Sequence, residues 1–480
     1  MNLCALRLNY KKTTEEKQMK LIYGVKDKPK FGQTLVFAFQ QLLAILAATI
    51  AVPTIVGNGM SSSAALFGAG VGTLVYLLFT KFRSPVFVGS SFAFIGPMLS
   101  AFAGAASASL GYVGLILGAV FAGLVYVVLA IIVKLAGVNW INKLMPAVVI
   151  GPTVSIIGLS LAGNAVGDLQ KGNVTHMVDG AAVQSASVYL CILCGLVTLA
   201  TVIICSVFGK KMARMIPFII GIVAGYGLAA LFTVIGNLTD TAALQIINFS
   251  AFKNMQWYPD FTFIEALKGV KEINGAYVAS IAVAYVPVAL VVFAEHIADH
   301  KNLSSIIEQD LLENPGLSRT LLGDGVGSMA GAFFGGCPNT TYGESVGCVA
   351  ISGNASVVTI LTTAIMAIVV SFFAPFVTFL STIPSCVMGG VCIALYGFIA
   401  VSGLKMLQPV DLNDNRNLFV ASTILITGIG GLSLTFGKVT ITTIACALIL
   451  GILVNLLTNS KRENEPCEDL VEEEPKCSKK

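Results

Sequence analysis

Three carboxylates lie inside or beside long apolar runs of this chain: Glu295, Asp299 and Glu344. Glu295 ends the run AYVASIAVAYVPVALVVFAEHIADH, and Asp299 follows four residues later on the same helical face. A charged side chain within a membrane span is costly, so one that stays there is expected to face a cavity or a polar partner. A buried carboxylate can also take up and release a proton near neutral pH. These residues are therefore the first candidates for chemistry.

Two other interpretations of this region compete. Position alone favours placing Glu295 and Asp299 at the cytosolic edge of a span, where charge costs little. Pro287 weakens that view, because a kinked or shortened helix would leave Glu295 deeper. His296 and His300 are also four residues apart, which suggests a metal site, but HIADH lacks the HExxH arrangement and no third ligand is evident. No metal or cofactor is predicted.

Glu344 lies in the segment PNTTYGESVG (338–347), whose residues 340–343 favour extended backbone over helix. Extended backbone within a membrane leaves N–H and C=O groups unpaired, and is tolerated only where it is buried in protein or lines a cavity. A similar interrupted segment, SPVFVGSSFAFIGP (84–97), lies in the first half of the chain. Two such stretches could pair across the centre, which would leave their remaining polar groups to face a ligand.

The composition requires a membrane around these residues. With 56% hydrophobic and 11% charged residues, 480 residues cannot form a soluble globule. Most apolar runs reach the roughly 20 residues that a spanning helix needs. The chain is predicted to be an all-α polytopic membrane protein with about fourteen spans, at about 35–57, 64–81, 84–99, 112–135, 144–163, 187–208, 214–236, 276–297, 320–335, 340–352, 354–378, 384–404, 417–435 and 439–458.

Lysine and arginine residues set the predicted orientation. With both termini in the cytosol, all but five of the 29 basic residues fall on the inside. The five exceptions are Lys171, Lys253, Lys268, Lys271 and Lys438. The polar stretch 1–31 lacks the features of a signal peptide and is predicted to be a cytosolic tail, as is 461–480.

The two halves of the chain resemble each other. MPAVVIG (145–151) and IPSCVMG (383–389) each open a span with proline and place glycine five residues later, and each half has an interrupted third span. Seven spans per half make the second copy enter from the opposite side, which is an inverted repeat of the kind found in transporters. Chance similarity between glycine-rich apolar segments is the alternative. A stripe of Gly323, Gly327, Gly331 and Gly335 predicts close helix packing.

The polar groups gathered in this way favour a particular ligand. Carboxylates would repel an inorganic anion, and a bare cation needs no aromatic wall such as Phe92 or Tyr342. A small planar heterocycle fits both features, because carboxylates accept from ring N–H groups, backbone N–H groups donate to ring carbonyls, and an aromatic side chain covers one face.

The sequence resembles the uracil/xanthine permeases, also called nucleobase-cation symporter 2 or nucleobase-ascorbate transporters. It is most similar to the uracil permease branch. The resemblance covers residues 32 to 460. It implies fourteen segments in two inverted sevens, with short antiparallel strands in segments 3 and 10 that meet at the substrate. The motifs that carry it are GSSFAFIGP (89–97), AEHIADH (294–300), DLLENPGLSRTLLGDG (310–325), PNTTYGES (338–345) and IPSCVMGGVCIALYG (383–397).

The resemblance also implies roles for individual residues. Glu295 and Glu344 would hydrogen-bond the nucleobase, and backbone amides around Phe92 and Gly343 would contact its carbonyls. Phe92 and Tyr342 would wall the pocket. The remaining implied residues are Tyr396 and Cys392, which would face the site from the gate domain, and Asp299 and His300, which together with the two glutamates would take part in proton coupling.

Two positions depart from the family pattern. Asp299 stands where some uracil permeases have a histidine, and His300 is one residue out of register with it. Ser345 follows Glu344 where the signature has asparagine. Glu344 favours uracil over xanthine, for which glutamine is more typical. The function expected from the resemblance is proton-coupled uracil uptake across the plasma membrane, with xanthine or a broader nucleobase range as the alternative.

The family fold implies a division into domains. The expected partners are a nucleobase, protons, the lipid bilayer and a second copy of the chain, with no nucleic acid. The expected boundaries are 1–31 for the N-terminal tail, 32–136 and 276–380 for the core domain, 137–238 and 381–460 for the gate domain, 239–275 for an extracellular loop, and 461–480 for the C-terminal tail.

Three rival classes remain. Sulfate-permease transporters share the inverted-repeat architecture but typically carry a cytosolic domain after the last span, for which a short tail leaves no room. A channel would differ by conducting ohmic current in place of saturable uptake. A membrane enzyme would need a nucleophile with a base or a metal cluster, and none stands out.

Overall fold

A computed structural model describes residues 21–137, 140, 144–178, 181–210, 212–253, 255, 257–436 and 439–459. Residues 1–20 of the predicted N-terminal tail and all of the predicted C-terminal tail, 461–480, lie outside these ranges. Lys438, one of the five basic residues predicted outside, also lies beyond them.

The described chain is mostly helical. Its helices are α1 (Phe31–Val56), α2 (Ser62–Phe79), α3 (Ile95–Ala103), α4 (Ala108–Ala136), α5 (Ala147–Ser160), α6 (Ala162–Asp168), α7 (Val188–Phe208), α8 (Met212–Met215), α9 (Pro217–Leu238), α10 (Thr262–Gly269), α11 (Gly275–Ile307), α12 (Leu317–Gly335), α13 (Gly343–Ser352), α14 (Val357–Val370), α15 (Ala374–Thr382), α16 (Ser385–Lys405), α17 (Asn415–Ile429) and α18 (Thr443–Asn459).

Within the described ranges, six short strands form three antiparallel pairs, β1 with β4, β2 with β3, and β5 with β6. The last two pairs are local hairpins, whereas β1 and β4 come from different halves of the chain. The strands are β1 (Val88–Ser90), β2 (Thr175–Val178), β3 (Ala181–Gln184), β4 (Asn339–Thr341), β5 (Leu434–Phe436) and β6 (Val439–Ile441).

Both halves show the same opening order of elements: two helices, a three-residue strand, and a short helix. Eight of the described helical segments are long and apolar enough to cross a membrane, counting α5 and α6 as one, and the bent pair α14 and α15, whose axes differ by 84°, makes a ninth if it counts as one span. The other predicted spans correspond to elements that are shorter, interrupted or, as in α12, less apolar. The count of fourteen spans stays a prediction.

The pairing of β1 with β4 joins the two interrupted segments. Val88 lies opposite Thr341 and Ser90 opposite Asn339, and the Ser91 N–H donates to the Pro338 carbonyl at 2.9 Å. The strands satisfy part of each other's backbone, as the sequence predicts. The extended stretch is shorter than expected, however, and Glu344 lies in the first turn of helix α13.

One group of helices packs around α12. This helix contacts α2 and α4, while α11 contacts α4, and α14 contacts α1 and α2. The glycine stripe is the reason that α12 and α2 come so close. A Cβ at Gly327 would lie 2.7 Å from the Gly72 carbonyl oxygen, and one at Gly335 would lie 2.5 Å from the Ala64 carbonyl oxygen. The packing interpretation of the stripe is confirmed.

A second group packs around α16. Helix α16 contacts α5 and α7, while α7 contacts α9, and α17 contacts α5 and α18. Here too glycines allow close approach, since Gly158 of α5 meets the Tyr396 carbonyl and Gly390 of α16 meets the Gly195 carbonyl. The cavity described next lies between the two groups.

Candidate functional site

A cavity of about 390 Å³ lies where the β1–β4 pair meets helices α11 and α16. Its polar wall comes from α11 and from the residues around the start of α13. Its apolar wall comes from the second group of helices, including Phe398 of α16, Met406 directly after α16, and Phe218 of α9. A volume of this size suits a small organic molecule.

All three predicted carboxylates line this cavity. Glu295 and Asp299 project from α11, and Glu344 projects from α13. Helix α11 does not end at Glu295 but continues to Ile307. The apolar run therefore ends before the helix does, and the position of Glu295 relative to the edge of the membrane stays a prediction.

The carboxylates interact with one another. Glu295 and Asp299 lie one helical turn apart on α11, and Glu344 faces the same cavity, so their charges repel one another when they are ionised. Asp299 has a fixed partner, since the Thr341 hydroxyl of β4 donates to its Oδ2 at 2.8 Å. Among the described residues, no set of three histidine, cysteine or carboxylate side chains is arranged to hold a metal ion.

The start of α13 places backbone donors beside the carboxylates. The Tyr342 carbonyl accepts the first helical hydrogen bond from the Val346 N–H, at 3.1 Å. The preceding N–H groups, including that of Gly343, have no intrahelical partner, as at any helix N-terminus. They can donate to a ligand oxygen. Phe92, which follows β1 at the start of a short 3-10 turn, lines the same cavity.

Tyr342 is held rigidly in the cavity wall. Its hydroxyl donates to the Ser90 carbonyl at 2.9 Å, and its ring lies against the backbone of Gly89, where an added Cβ would come within 2.6 Å of the Tyr342 Cε2 atom. Only glycine at position 89 leaves room for this ring. The strand pair and the aromatic wall therefore depend on each other.

Two predicted gate residues lie behind the cavity wall. The Tyr396 ring contacts Phe92 edge to face, with ring centroids 5.6 Å apart, and Cys392 is buried one turn earlier in α16. Neither lines the cavity, to which α16 contributes Phe398, Ile399 and Ser402 instead. Tyr396 supports Phe92 from behind.

His300 also lies away from the cavity. It is fully buried on the opposite face of α11, where its Nδ1 donates to the His296 carbonyl at 2.7 Å and its Nε2 is hydrogen-bonded to the Tyr76 hydroxyl at 2.7 Å. His296 Nδ1 lies 2.7 Å from Asp324 Oδ2. The i, i+4 histidines thus stack on each other and bind protein groups.

Sequence reasoning missed two residues beside the site. Gln41 of α1 donates to Ser345 Oγ at 2.5 Å, and the same oxygen accepts the Phe87 N–H at 3.1 Å. Ser345, the departure from the signature, therefore ties α13 to α1 and to the strand β1. Asp324 is the other omission. Both could have been found from the cost of a polar side chain in a span, applied to every apolar run.

Comparison with known proteins identifies the family of this chain. The chain matches the family model Xan_ur_permease, described as a permease family, over residues 32–437. The chain belongs to this permease family. The predicted resemblance is confirmed, and the protein is a multi-pass membrane transporter and not an enzyme.

Curated relatives of this permease agree along nearly the whole chain. It is 40% identical to the uracil permease of Bacillus caldolyticus, covering 95% of this chain and 98% of that one. It is 37% identical to the uracil permease of Bacillus subtilis (93% and 97%) and 33% identical to that of Escherichia coli K12 (90% and 93%).

Two solved structures share the fold of this permease. The transmembrane domain of the cyanobacterial bicarbonate transporter BicA is 16% identical, with a TM-score of 0.57 over 90% of this chain and 98% of that one. The murine anion transporter Slc26a9 is 11% identical, with a TM-score of 0.62 over 91% of this chain and 69% of that one. At these identities the likeness concerns the fold alone.

Proposed function

We propose that this permease carries uracil into the cell together with protons, by alternating access. The observation that carries the proposal is the cavity itself, in which Glu295 and Glu344 stand beside the N-terminus of α13 and the aromatic side chain of Phe92. Relatives named uracil permease, at 33% to 40% identity, supply the choice of nucleobase.

Uracil offers two ring N–H groups and two ring carbonyls in one plane. Glu344 and Glu295 accept from the N–H groups, and the backbone N–H groups near Gly343 and Phe92 donate to the carbonyls. Phe92 and Tyr342 cover the ring. This assignment uses every polar group of the ligand, which matters because an unpaired polar group in a closed cavity costs about 1–3 kcal/mol.

Proton coupling follows from the crowding of acids. Three carboxylates facing one cavity of about 390 Å³ repel one another when all are ionised. A proton that enters with uracil relieves that repulsion, and the departure of the proton with uracil restores it. Glu295, Glu344 and Asp299 are the groups proposed to exchange protons. His300 was expected in this set, but its burial behind α11 favours a route through Asp299 and Thr341.

Alternating access requires two domains that move against each other. We assign residues 32–136 and 276–380 to a core domain and 137–238 and 381–460 to a gate domain, and the two helix groups around α12 and α16 support this division. The proposed topology has fourteen segments in two inverted sevens, both termini in the cytosol, 239–275 outside, and the plasma membrane as location. A homodimer through the gate domains is proposed from the family resemblance.

The lining of the cavity includes Arg214, Asn302 and Met406, which lie in or near the segments assigned to the cytosolic side. A second cavity of about 460 Å³ lies on the side assigned to the exterior, lined by residues that include Ser61 and Asp260. Burial raises the pKa of Asp260. We interpret this arrangement as the inward-facing state, with the second cavity as the outer entrance.

Uptake into proteoliposomes tests the proposal. Radiolabelled uracil should accumulate when the outside is acidified and should stop accumulating when an uncoupler is added. Thymine, 5-fluorouracil and xanthine as unlabelled competitors define the range, and Glu295→Gln serves as the coupling variant. Uracil transport that is indifferent to both the uncoupler and this substitution would exclude the mechanism.

A further inference from the structure

Behind the cavity, α11 presents a second polar face that the transport mechanism does not use. His296 and His300 project from it into the group of helices around α12, with ring centroids 4.0 Å apart. His296, Asp324 and Thr320 each have 0% of their side chain exposed. None of the three lines the cavity.

The hydrogen bonds of His296 determine how many protons it shares with Asp324. The Thr320 hydroxyl donates to the Leu317 carbonyl at 3.0 Å. Its oxygen therefore accepts from His296 Nε2, which lies 3.0 Å away. Since Nε2 already carries a hydrogen, the 2.7 Å contact between His296 Nδ1 and Asp324 Oδ2 requires a second hydrogen between these two atoms. That proton sits either on the imidazole or on the carboxyl group, and in both cases the pair is neutral overall.

The surroundings keep this proton in place. Tyr126 of α4 lies beside the His296 ring, at 6.3 Å between centroids, and its hydroxyl has no partner among the described residues, as is true of Asp324 Oδ1. Tyr76 of α2 faces His300. Removing the proton would leave an uncompensated charge among these buried groups, which is strongly unfavourable. The other ionisable groups of this part of α11, Glu295 and Asp299, face the cavity instead.

Anchoring His296 also orients its neighbour. Consecutive residues of a helix point about 100° apart, so the direction of His296 sets that of Glu295. The anchor lies just beyond Pro287, which removes one backbone hydrogen bond and frees the helix to bend.

We propose that His296 and Asp324 hold one proton between them throughout the transport cycle, and that this neutral pair positions Glu295 toward the cavity. Both are positioning residues. The inference rests on the proposed function for its effect on transport, whereas the proton count can be measured on the protein without substrate.

The first test is nitrogen-15 NMR of the histidine rings in purified, substrate-free protein. The chain has only three histidines, and removing His176 or His300 by substitution with asparagine assigns the signals. The His296 signals should stay constant between about pH 5 and pH 8, the range in which a free histidine titrates. Titration of His296 within that range would overturn the proposal.

The second test compares Asp324→Asn with Asp324→Ala. The asparagine amide can donate to His296 Nδ1 as the shared proton does, so uracil uptake should stay within about threefold of wild type with an unchanged pH profile. The alanine variant leaves Nδ1 unpaired, and uptake should fall about tenfold or more. Ser328→Ala, one turn further along α12, is the matched control and should leave uptake unchanged.

Each other outcome decides against the proposal. A folded asparagine variant that shifts the pH profile, or that transports as poorly as the alanine variant, would show that the proton is exchanged. Wild-type uptake in both variants would show that the pair positions nothing. If the alanine variant does not fold, the asparagine variant and the NMR titration still decide. Absence of uracil uptake in the wild type would refute the proposed function instead and leave the NMR result intact.

Discussion

Replacing Glu344 with glutamine tests the ligand geometry most directly. The substitution keeps the size of the side chain and one acceptor oxygen, but exchanges the other oxygen for an amide N–H donor. Glu344 lies in the first turn of α13 and lines the cavity. A glutamine there can accept from the ring N–H of uracil only when its amide oxygen is turned toward the ligand.

The expected loss follows from the type of hydrogen bond. A hydrogen bond to a charged group contributes about 1.5–3 kcal/mol and a neutral one about 0.5–1.5 kcal/mol, so losing the charge alone costs about 1 kcal/mol. If the amide N–H meets the ring N–H, the loss rises to about 3 kcal/mol. The Kd for uracil should therefore rise about 5-fold to 150-fold.

Calorimetric titration of the purified protein with uracil measures this change. Glu313→Gln, at an exposed position outside the cavity, is the control and should leave the Kd unchanged. The melting temperature of both variants without ligand shows that the fold is intact. An unchanged Kd in a well-folded Glu344→Gln protein would remove Glu344 from the ligand contacts and refute the assignment.

Three further predictions concern the neighbouring groups. Glu295→Gln should reduce the accumulation of uracil driven by a proton gradient more than it reduces the exchange of labelled for unlabelled uracil. The two assays are compared on the same vesicles, and equal losses would contradict a coupling role. Gly89→Ala should displace the Tyr342 ring, because the new Cβ would lie 2.6 Å from Cε2, and uracil affinity should fall about tenfold or more; Gly96→Ala, which meets no atom closer than 4.0 Å, is the control. Tyr342→Phe removes the hydrogen bond to the Ser90 carbonyl and should lower the free energy of unfolding by about 1 kcal/mol while leaving the aromatic wall in place; thermal unfolding checks the stability, and a large loss of affinity without a loss of stability would argue for direct contact of the hydroxyl with the ligand.

The interrupted segments were predictable because their polarity is out of place in an apolar chain. Their pairing, Val88 with Thr341, follows from the need to satisfy backbone groups inside a membrane. The exact end of the extended stretch was not predictable. Local β preference around position 342 competes with helix formation from Gly343 onward, and an acidic residue in the first turn favours the helix.

The face of α16 that meets the cavity could not be predicted from the sequence. The helix is apolar nearly all round, SCVMGGVCIALYGFIAVSGLK, so no polar stripe marks the face that meets the cavity. Tyr396 and Cys392 were assigned to the cavity through resemblance, and the packing of α16 against α5 and α7 places Phe398 and Ser402 there instead. The pairing of His296 with Asp324 depends on two helices meeting, which spacing within either one does not reveal.

Helix α11 divides its ionisable groups according to what each face meets. Glu295 and Asp299 meet an open cavity and a hydroxyl donor, where a proton can arrive and leave. His296 meets an acid and a hydroxyl that together account for each of its ring nitrogens, so a proton there has a fixed place. The proposed symport needs both conditions, because the coupling group must change its charge while the helix that carries it keeps its orientation. Had His296 been free to titrate, each protonation event at Glu295 would compete with a second one a single residue away, and the helix would lose its fixed contact with α12 whenever that second site changed charge.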